Sequence, residues 1–185
     1  QVTGHFVEKM ESSGDYDFIK GWGTTATPSL IANSSDQQVR IPGIARPHSI
    51  FVHPSPTLFV AAGWQSPVSG VVKVEAEIQD AHPECGNGVE WWILHRTFDG
   101  SRILKTARLD GAGRGSMESR AIAVKKGEVI ALVVGPKDGS HACDLTRVDF
   151  RLAETESEQR SWDLASDVSD DILSSNPQDD RYGHH

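Results

Sequence analysis

The sequence lacks the motifs of several kinds of chemical site, and their absence excludes those sites. Only two cysteines occur among its 185 residues, and neither belongs to a Cys-x-x-Cys or Cys-x-x-Cys-His motif. A zinc ribbon, a thioredoxin-like redox site and a covalently attached haem are therefore not encoded. No Gly-x-Ser-x-Gly motif marks a hydrolase nucleophile, and no glycine-rich loop precedes a helix as a phosphate-binding loop does. We therefore expect that the chain is not an enzyme.

Long apolar runs and an excess of positive charge are missing as well. No apolar run of about 18 residues occurs, so the sequence predicts no membrane span. The formal net charge is −8 at pH 7, and no basic stripe interrupts it, which argues against a nucleic-acid partner. Glu75 and Glu77 would project from one face of a strand, as two glycosidase acids do. Alternating Lys and Glu is more typical of a solvated strand face.

Long helical patterns are scarce, whereas turn-forming residues are abundant. Seventeen Gly and nine Pro separate short apolar segments, which favours a turn-rich β protein. Residues 72–79 alternate apolar with charged or polar side chains, as a strand with one buried face does. Residues 129–134 are apolar on both faces, which predicts a central strand. We predict an all-β fold, a jelly-roll-type β-sandwich with a short C-terminal helix or tail; frequent Pro breaks disfavour the alternative, a lipocalin-like barrel.

The length predicts one domain with extensions at both ends. We expect an N-terminal wrapping segment at residues 1–20, the β-sandwich at 21–164, and a short helix with a linker or tag remnant at 165–185. Ser166 is the predicted N-cap of a helix at residues 167–173. The chain begins at Gln1 without an initiator Met, so we expect a portion of a longer protein. We interpret His184 and His185 as a tag remnant or cut point, although they could be native.

The segment from Val89 to Phe98 carries two adjacent tryptophans on a predicted strand. Period-two alternation turns Trp91 inward and leaves Trp92 on the outer face with Arg96. Sugars offer flat C–H faces that pack on indole rings, and their hydroxyls take hydrogen bonds from polar side chains. Trp92 is therefore a candidate stacking platform, with Arg96, Asn87 and His82 as polar contacts. The alternative is that all five tryptophans belong to the core.

Cys85 and Cys143 lie in loops rich in Gly, His and Asp, beside predicted strands. They could be free thiols or one disulfide. We favour the disulfide, because an even cysteine count in a loop-rich acidic protein suits an exported context. Such a bridge would fix the loop that carries Asn87.

Acidic loop residues are candidates for a calcium site, since hard cations prefer carboxylate and backbone oxygens. Asp144 and Asp149 near the last predicted strand, and Asp80 with Glu84 in the central loop, are the predicted ligands. None of them has the spacing of a defined calcium loop. A salt bridge to a neighbouring arginine is the alternative for Asp149.

A set of motifs rich in Pro, Gly and Trp occurs along the chain: Val52–Thr57, Gly63–Pro67, Ala81–Val89, Gly135–Thr146, Trp162–Leu164 and Asn176–Pro177. In this order, the motifs resemble a non-catalytic region of the large surface cytochrome c proteins of planctomycete-type bacteria. The resemblance covers roughly residues 20–183. Haem-binding modules flank this region in those proteins, and polysaccharide degradation is a common context. The resemblance implies a module that accompanies a cytochrome, with no haem in this portion and an architecture like that of a carbohydrate-binding β-sandwich.

Together these features predict a non-catalytic carbohydrate-binding module of a larger exported cytochrome c protein. Its partner would be a polysaccharide or oligosaccharide, with calcium as a structural ion and an extracytoplasmic, periplasmic or cell-surface location. The alternative is a structural or protein-docking domain, in which Trp92 contacts neighbouring domains of the parent chain and no sugar is bound.

Overall fold

Two antiparallel sheets form a β-sandwich in the computed structural model, which describes residues 4–24, 27–156 and 160–184. Residues 1–3 of the predicted N-terminal segment and His185 lie outside the described residues. The strands are β1 (Lys9–Met10), β2 (Ile19–Gly23), β3 (Ser29–Asn33), β4 (Val39–Arg40), β5 (Ile44–Ala45), β6 (Ser49–His53), β7 (Val60–Gln65), β8 (Gly70–Asp80), β9 (Val89–Thr97), β10 (Gly100–Leu109), β11 (Arg114–Val124), β12 (Val129–Pro136), β13 (Thr146–Glu154) and β14 (Ser161–Asp163), and helix α1 spans Leu164–Val168.

The eight strands from β6 to β13 have jelly-roll connectivity. One sheet has the order β1-β2-β3-β6-β13-β8-β11, with β14 also paired to β13, and the second has the order β10-β9-β12-β7. Strands therefore pair as β6 with β13, β7 with β12, β8 with β11 and β9 with β10, which is the wrapped hairpin of a jelly roll. The predicted all-β sandwich with a short C-terminal helix is confirmed.

The predicted strand patterns correspond to observed burial. Val72, Val74, Ala76 and Ile78 of β8 are buried, while the residues between them are exposed or half-buried. Strand β12 is buried along nearly its whole length between β9 and β7, as a central strand should be. The proline-rich segment between β6 and β7 is a corner where the chain crosses from one sheet to the other.

Helix α1 differs from the predicted helix. Ser166 is not its N-cap: the side chain of Asp163 accepts a hydrogen bond from the Ser166 backbone N–H at 3.1 Å. The chain passes directly from β14 into the helix, so the extended residue at the end of that strand is the cap. The helix ends at Val168, well before residue 173.

The C-terminal tail packs against the sandwich and the N-terminal segment. Ile172 is buried, and its carbonyl accepts a hydrogen bond from Trp22 Nε1 at 2.7 Å. Lys9 Nζ donates to Leu173 O at 2.8 Å. Within the described residues, no helix is long and apolar enough to cross a membrane.

Candidate functional site

Strand β9 presents its two tryptophans to opposite sides of the four-stranded sheet. Trp91 is 1% exposed and lies in the core between the sheets, whereas Trp92 is half-buried on the other side. We call that second side the outer face; it carries the outward residues of β7, β9, β10 and β12. Strand register places Val133 and Thr106 beside Trp92.

Phe59 joins Trp92 on the outer face. The two rings are stacked, with centroids 5.2 Å apart and an angle of 29° between their planes. Phe59 is 58% exposed, so its ring borders solvent although it packs on a partner. We call Trp92 and Phe59 the aromatic platform.

Gly135 makes the stacking of Phe59 possible. It lies on β12 opposite Glu90, two residues along the ladder from the Val133–Trp92 pair. A β-carbon at Gly135 would lie 2.5 Å from Phe59 Cδ1, closer than nonbonded carbons approach. The ring of Phe59 therefore occupies space that any side chain at position 135 would fill.

Charged groups lie at the end of the outer face nearest Phe59. Arg108 Nη2 lies 2.6 Å from Glu90 Oε1 and 3.5 Å from Asp138 Oδ1. The side chains of Arg108 and Asp138 are mostly exposed. Because exposed ion pairs contribute little to stability, these groups can exchange partners with a polar ligand at small cost.

Lys137 connects this charged end to the loop between β8 and β9. Its Nζ donates to Asn87 O at 3.1 Å and to Asp110 Oδ1 at 2.5 Å. The hydrogen bond from Lys137 lowers the pKa of Asp110, and the positive charge of Lys137 acts in the same direction.

The four predicted ligand-contacting residues are only partly brought together. Arg96 is exposed on the outer face with Trp92, about 13 Å along the strand at 3.3 Å per residue. Asn87 donates from Nδ2 to Lys137 O at 2.9 Å, so its amide holds the loop in place. His82 is half-buried in the same loop, with Nε2 3.5 Å from Cys85 Sγ.

Cys85 and Cys143 form the predicted disulfide. It joins the loop between β8 and β9 to the loop between β12 and β13, with Cα atoms 5.7 Å apart. A ring nitrogen of His82 and the two sulfur atoms lie within 4.8 Å of one another. Because metal binding by cysteine requires thiolates, the bridged pair does not form a metal centre with His82.

Asp80 and Asp144, two of the four predicted metal ligands, interact with each other. Asp80 accepts hydrogen bonds from His82 N at 2.7 Å and Ala112 N at 2.6 Å. Asp144 is 3% exposed, and neither of its carboxylate oxygens has a hydrogen-bond partner among the described residues. Burial, with a smaller contribution from the charge of Asp80, raises the pKa of Asp144 to about 7.

Asp149 and Glu84, the other two predicted ligands, are engaged elsewhere. Asp149 Oδ2 lies 3.1 Å from Arg147 Nη2, and Glu84 Oε1 lies 2.5 Å from Arg40 Nη2. Glu77 also pairs with Arg147 at 3.1 Å, in a shallow polar groove of about 320 Å³ on the outside of the larger sheet.

Sequence reasoning missed the two residues that complete the aromatic platform, Phe59 and Gly135, and also the polar residues beside it, Glu90, Thr106, Arg108 and Asp138. Both signals were present: an aromatic residue directly before a strand, and a glycine at the end of an otherwise apolar strand. Neither could be related to Trp92 without knowing that β7, β12 and β9 are adjacent in the sheet.

The chain matches no protein-family model, and no curated protein has significant similarity to it. The functional conclusion therefore depends on the geometry of this chain.

Proposed function

We propose that this chain is a non-catalytic carbohydrate-binding module that holds a larger exported cytochrome c protein on a polysaccharide. The observation that carries the proposal is the aromatic platform on the outer face. Its rings offer the apolar surface on which the C–H face of a sugar packs. Phe59 supplies the more exposed ring, and the half-buried ring of Trp92 stacks against it.

Polar groups around the platform match the other half of sugar recognition. Glu90, Arg108 and Asp138 provide both donors and acceptors at one end of the outer face. Thr106, next to Trp92 in the register, is exposed and adds a hydroxyl. An apolar surface with a few convergent polar groups is the usual composition of a small-ligand site.

The cross-linked loops support the exported location in this proposal. Disulfides persist in oxidising compartments and are rare in the cytosol of most organisms. The Cys85–Cys143 bridge is thus compatible with an extracytoplasmic, periplasmic or cell-surface module.

Affinity electrophoresis against a panel of soluble polysaccharides tests the proposal. We expect at least one polysaccharide to retard the wild-type chain, with a dissociation constant in the micromolar to millimolar range, about −8 to −4 kcal/mol. Trp92→Ala should migrate as it does without polysaccharide. Phe98→Ala is the matched control, since Phe98 is an exposed aromatic at the hairpin turn and not part of the platform. Absence of retardation by every polysaccharide would contradict the proposal.

Gly135→Ala offers an independent test of the platform that leaves both rings in the chain. The added methyl group would occupy the place of the Phe59 ring, which must then leave its position on Trp92. We expect polysaccharide affinity to fall about tenfold or more, corresponding to about 1.4 kcal/mol. Gly63→Ala is the control, because a β-carbon there meets its nearest neighbour at an ordinary 3.5 Å. Equal affinity of Gly135→Ala and wild type would exclude Phe59 from the binding surface.

Further apolar side chains favour a second candidate function, protein docking. Ile103, opposite Leu94 on the outer face, is 59% exposed, and Phe98 at the adjoining turn is 70% exposed. Contiguous exposed apolar residues mark interaction surfaces. Binding of a separately produced neighbouring domain, lost in Ile103→Ser and without any sugar binding, would favour docking over the carbohydrate proposal.

A further inference from the structure

Three loops converge beside the disulfide at one end of the sandwich. A β-carbon placed on Gly86, in the β8–β9 loop, would lie 2.7 Å from Ala142 O and 3.6 Å from Asp144 Oδ1, in the β12–β13 loop. One placed on Gly111, in the β10–β11 loop, would lie 3.4 Å from Gly86 O and 4.0 Å from Asp80 Oδ2. Oxygen atoms of Ala142 and Asp144 therefore lie close to Gly86, and oxygen atoms of Gly86 and Asp80 lie close to Gly111.

Several of the oxygen atoms beside Gly86 and Gly111 have no hydrogen-bond donor. Both carboxylate oxygens of Asp144 are buried and unpartnered in the described part of the chain. The carbonyl oxygens of Gly86 and Ala142 accept no backbone hydrogen bond from the described loops and turns. Buried polar groups are nearly always satisfied, and a buried carboxylate without a donor either binds its proton or has a counter-charge beside it.

No basic side chain supplies that counter-charge among the described ion pairs. Lys137 pairs with Asp110, Arg40 pairs with Glu84, and Arg147 pairs with Glu77 and Asp149. The charged group that affects Asp144 is instead a second carboxylate, Asp80, whose negative charge helps to raise the pKa of Asp144. The two carboxylate oxygens of Asp80 accept hydrogen bonds from the backbone N–H groups of His82 and Ala112. A buried, unpartnered carboxylate with a second carboxylate and backbone carbonyl oxygens nearby is a donor set that suits a divalent cation.

We propose that Asp144 and Asp80, with the carbonyl oxygens of Gly86 and Ala142, bind a structural calcium ion. Calcium takes about six to eight oxygen ligands in flexible geometry, including carboxylates, backbone carbonyls and water. Magnesium requires a near-ideal octahedron and retains most of its water, which suits this enclosed set less well. The ion would join the same loops as the Cys85–Cys143 bridge. The inference does not depend on sugar binding.

Thermal unfolding of the full chain with and without calcium tests the site. After treatment with a chelator, calcium at about a hundredfold excess over its dissociation constant should raise the Tm by about 5 to 10 °C. The expected dissociation constant is about 10⁻⁴ to 10⁻³ M, as in extracellular calcium modules. Titration calorimetry should show a single site per chain. An identical Tm in chelator and in calcium would overturn the proposal, and so would an equal shift with magnesium.

The substitution Asp144→Asn tests whether the Asp144 carboxylate binds the calcium ion. The variant should show no calcium-dependent change in Tm, whereas Asp149→Asn, which removes an equal charge from an ion pair with Arg147, should keep the full shift. A full calcium shift in Asp144→Asn would overturn the assignment. If Asp144→Asn does not fold, the wild-type comparison and the calorimetric titration still decide whether the ion binds.

Discussion

Removal of the disulfide, as Cys85→Ser with Cys143→Ser, is expected to lower the free energy of unfolding by about 4 kcal/mol. The bridge spans 58 residues. In the chain-entropy model, a loop of that length restricts the unfolded state by about this amount.

Urea unfolding followed by circular dichroism measures this loss. The corresponding decrease in Tm is about 8 to 16 °C for a domain of this size. Wild-type protein treated with a reductant is the control, and it should unfold at the same urea concentration as the double serine variant. A loss below about 1 kcal/mol would show that the unfolded chain is already restricted in this region.

Trp91→Ala is expected to cost about 3 to 5 kcal/mol, the range for truncating a large aromatic side chain in a packed core. Trp91 is 1% exposed and is among the largest fully buried side chains of the described residues. Its indole ring packs close to β11, where a β-carbon on Gly115 would lie 3.1 Å from Trp91 Nε1. The surrounding strands are held in a continuous ladder and cannot close the cavity.

The adjacent substitution Trp92→Ala is the matched control. It removes the same side chain from the half-buried outer face, so its effect on unfolding should be clearly smaller, while its effect on sugar binding should be larger. Chemical denaturation of the two variants under one set of conditions gives the comparison. Equal losses of stability would contradict the division of the two tryptophans between core and surface.

Local sequence patterns were sufficient for much of the fold. The alternation in β8 and in β9 follows directly from residues 72–79 and 89–97, because a strand with one buried face repeats every second residue. Pro54 and Pro56 lie between β6 and β7, where the chain changes sheets. The disulfide was favoured over free thiols from loop context alone.

The aromatic platform needed three-dimensional information. Phe59 and Trp92 are separated by 33 residues in sequence and meet only because β12 lies between their strands. No local pattern specifies which strands become neighbours in a jelly roll. The sequence therefore did not identify Phe59 as a site residue, and Gly135 was named only as the first residue of the Gly135–Thr146 motif.

Polar residues of the loops were harder to interpret than apolar residues of the strands. Asn87 was predicted to contact a ligand, yet its amide donates to the backbone of Lys137. Asn side chains satisfy backbone groups in loops as readily as they bind ligands, and the sequence does not distinguish the two uses. Asp80 and Asp144 were among four equivalent candidates until the register of β8 against β13 brought them near each other.

The most direct test of the central claim is a double-mutant cycle on sugar affinity. Calorimetric titration with the best-retained polysaccharide, or an oligosaccharide from it, would compare wild type, Phe59→Ala, Trp92→Ala and the double variant. If the rings form one platform, each single change should cost about 2 kcal/mol, or about thirtyfold in affinity, and the double variant should lose little more. Wild-type affinity in both single variants, with their Tm unchanged, would contradict the account.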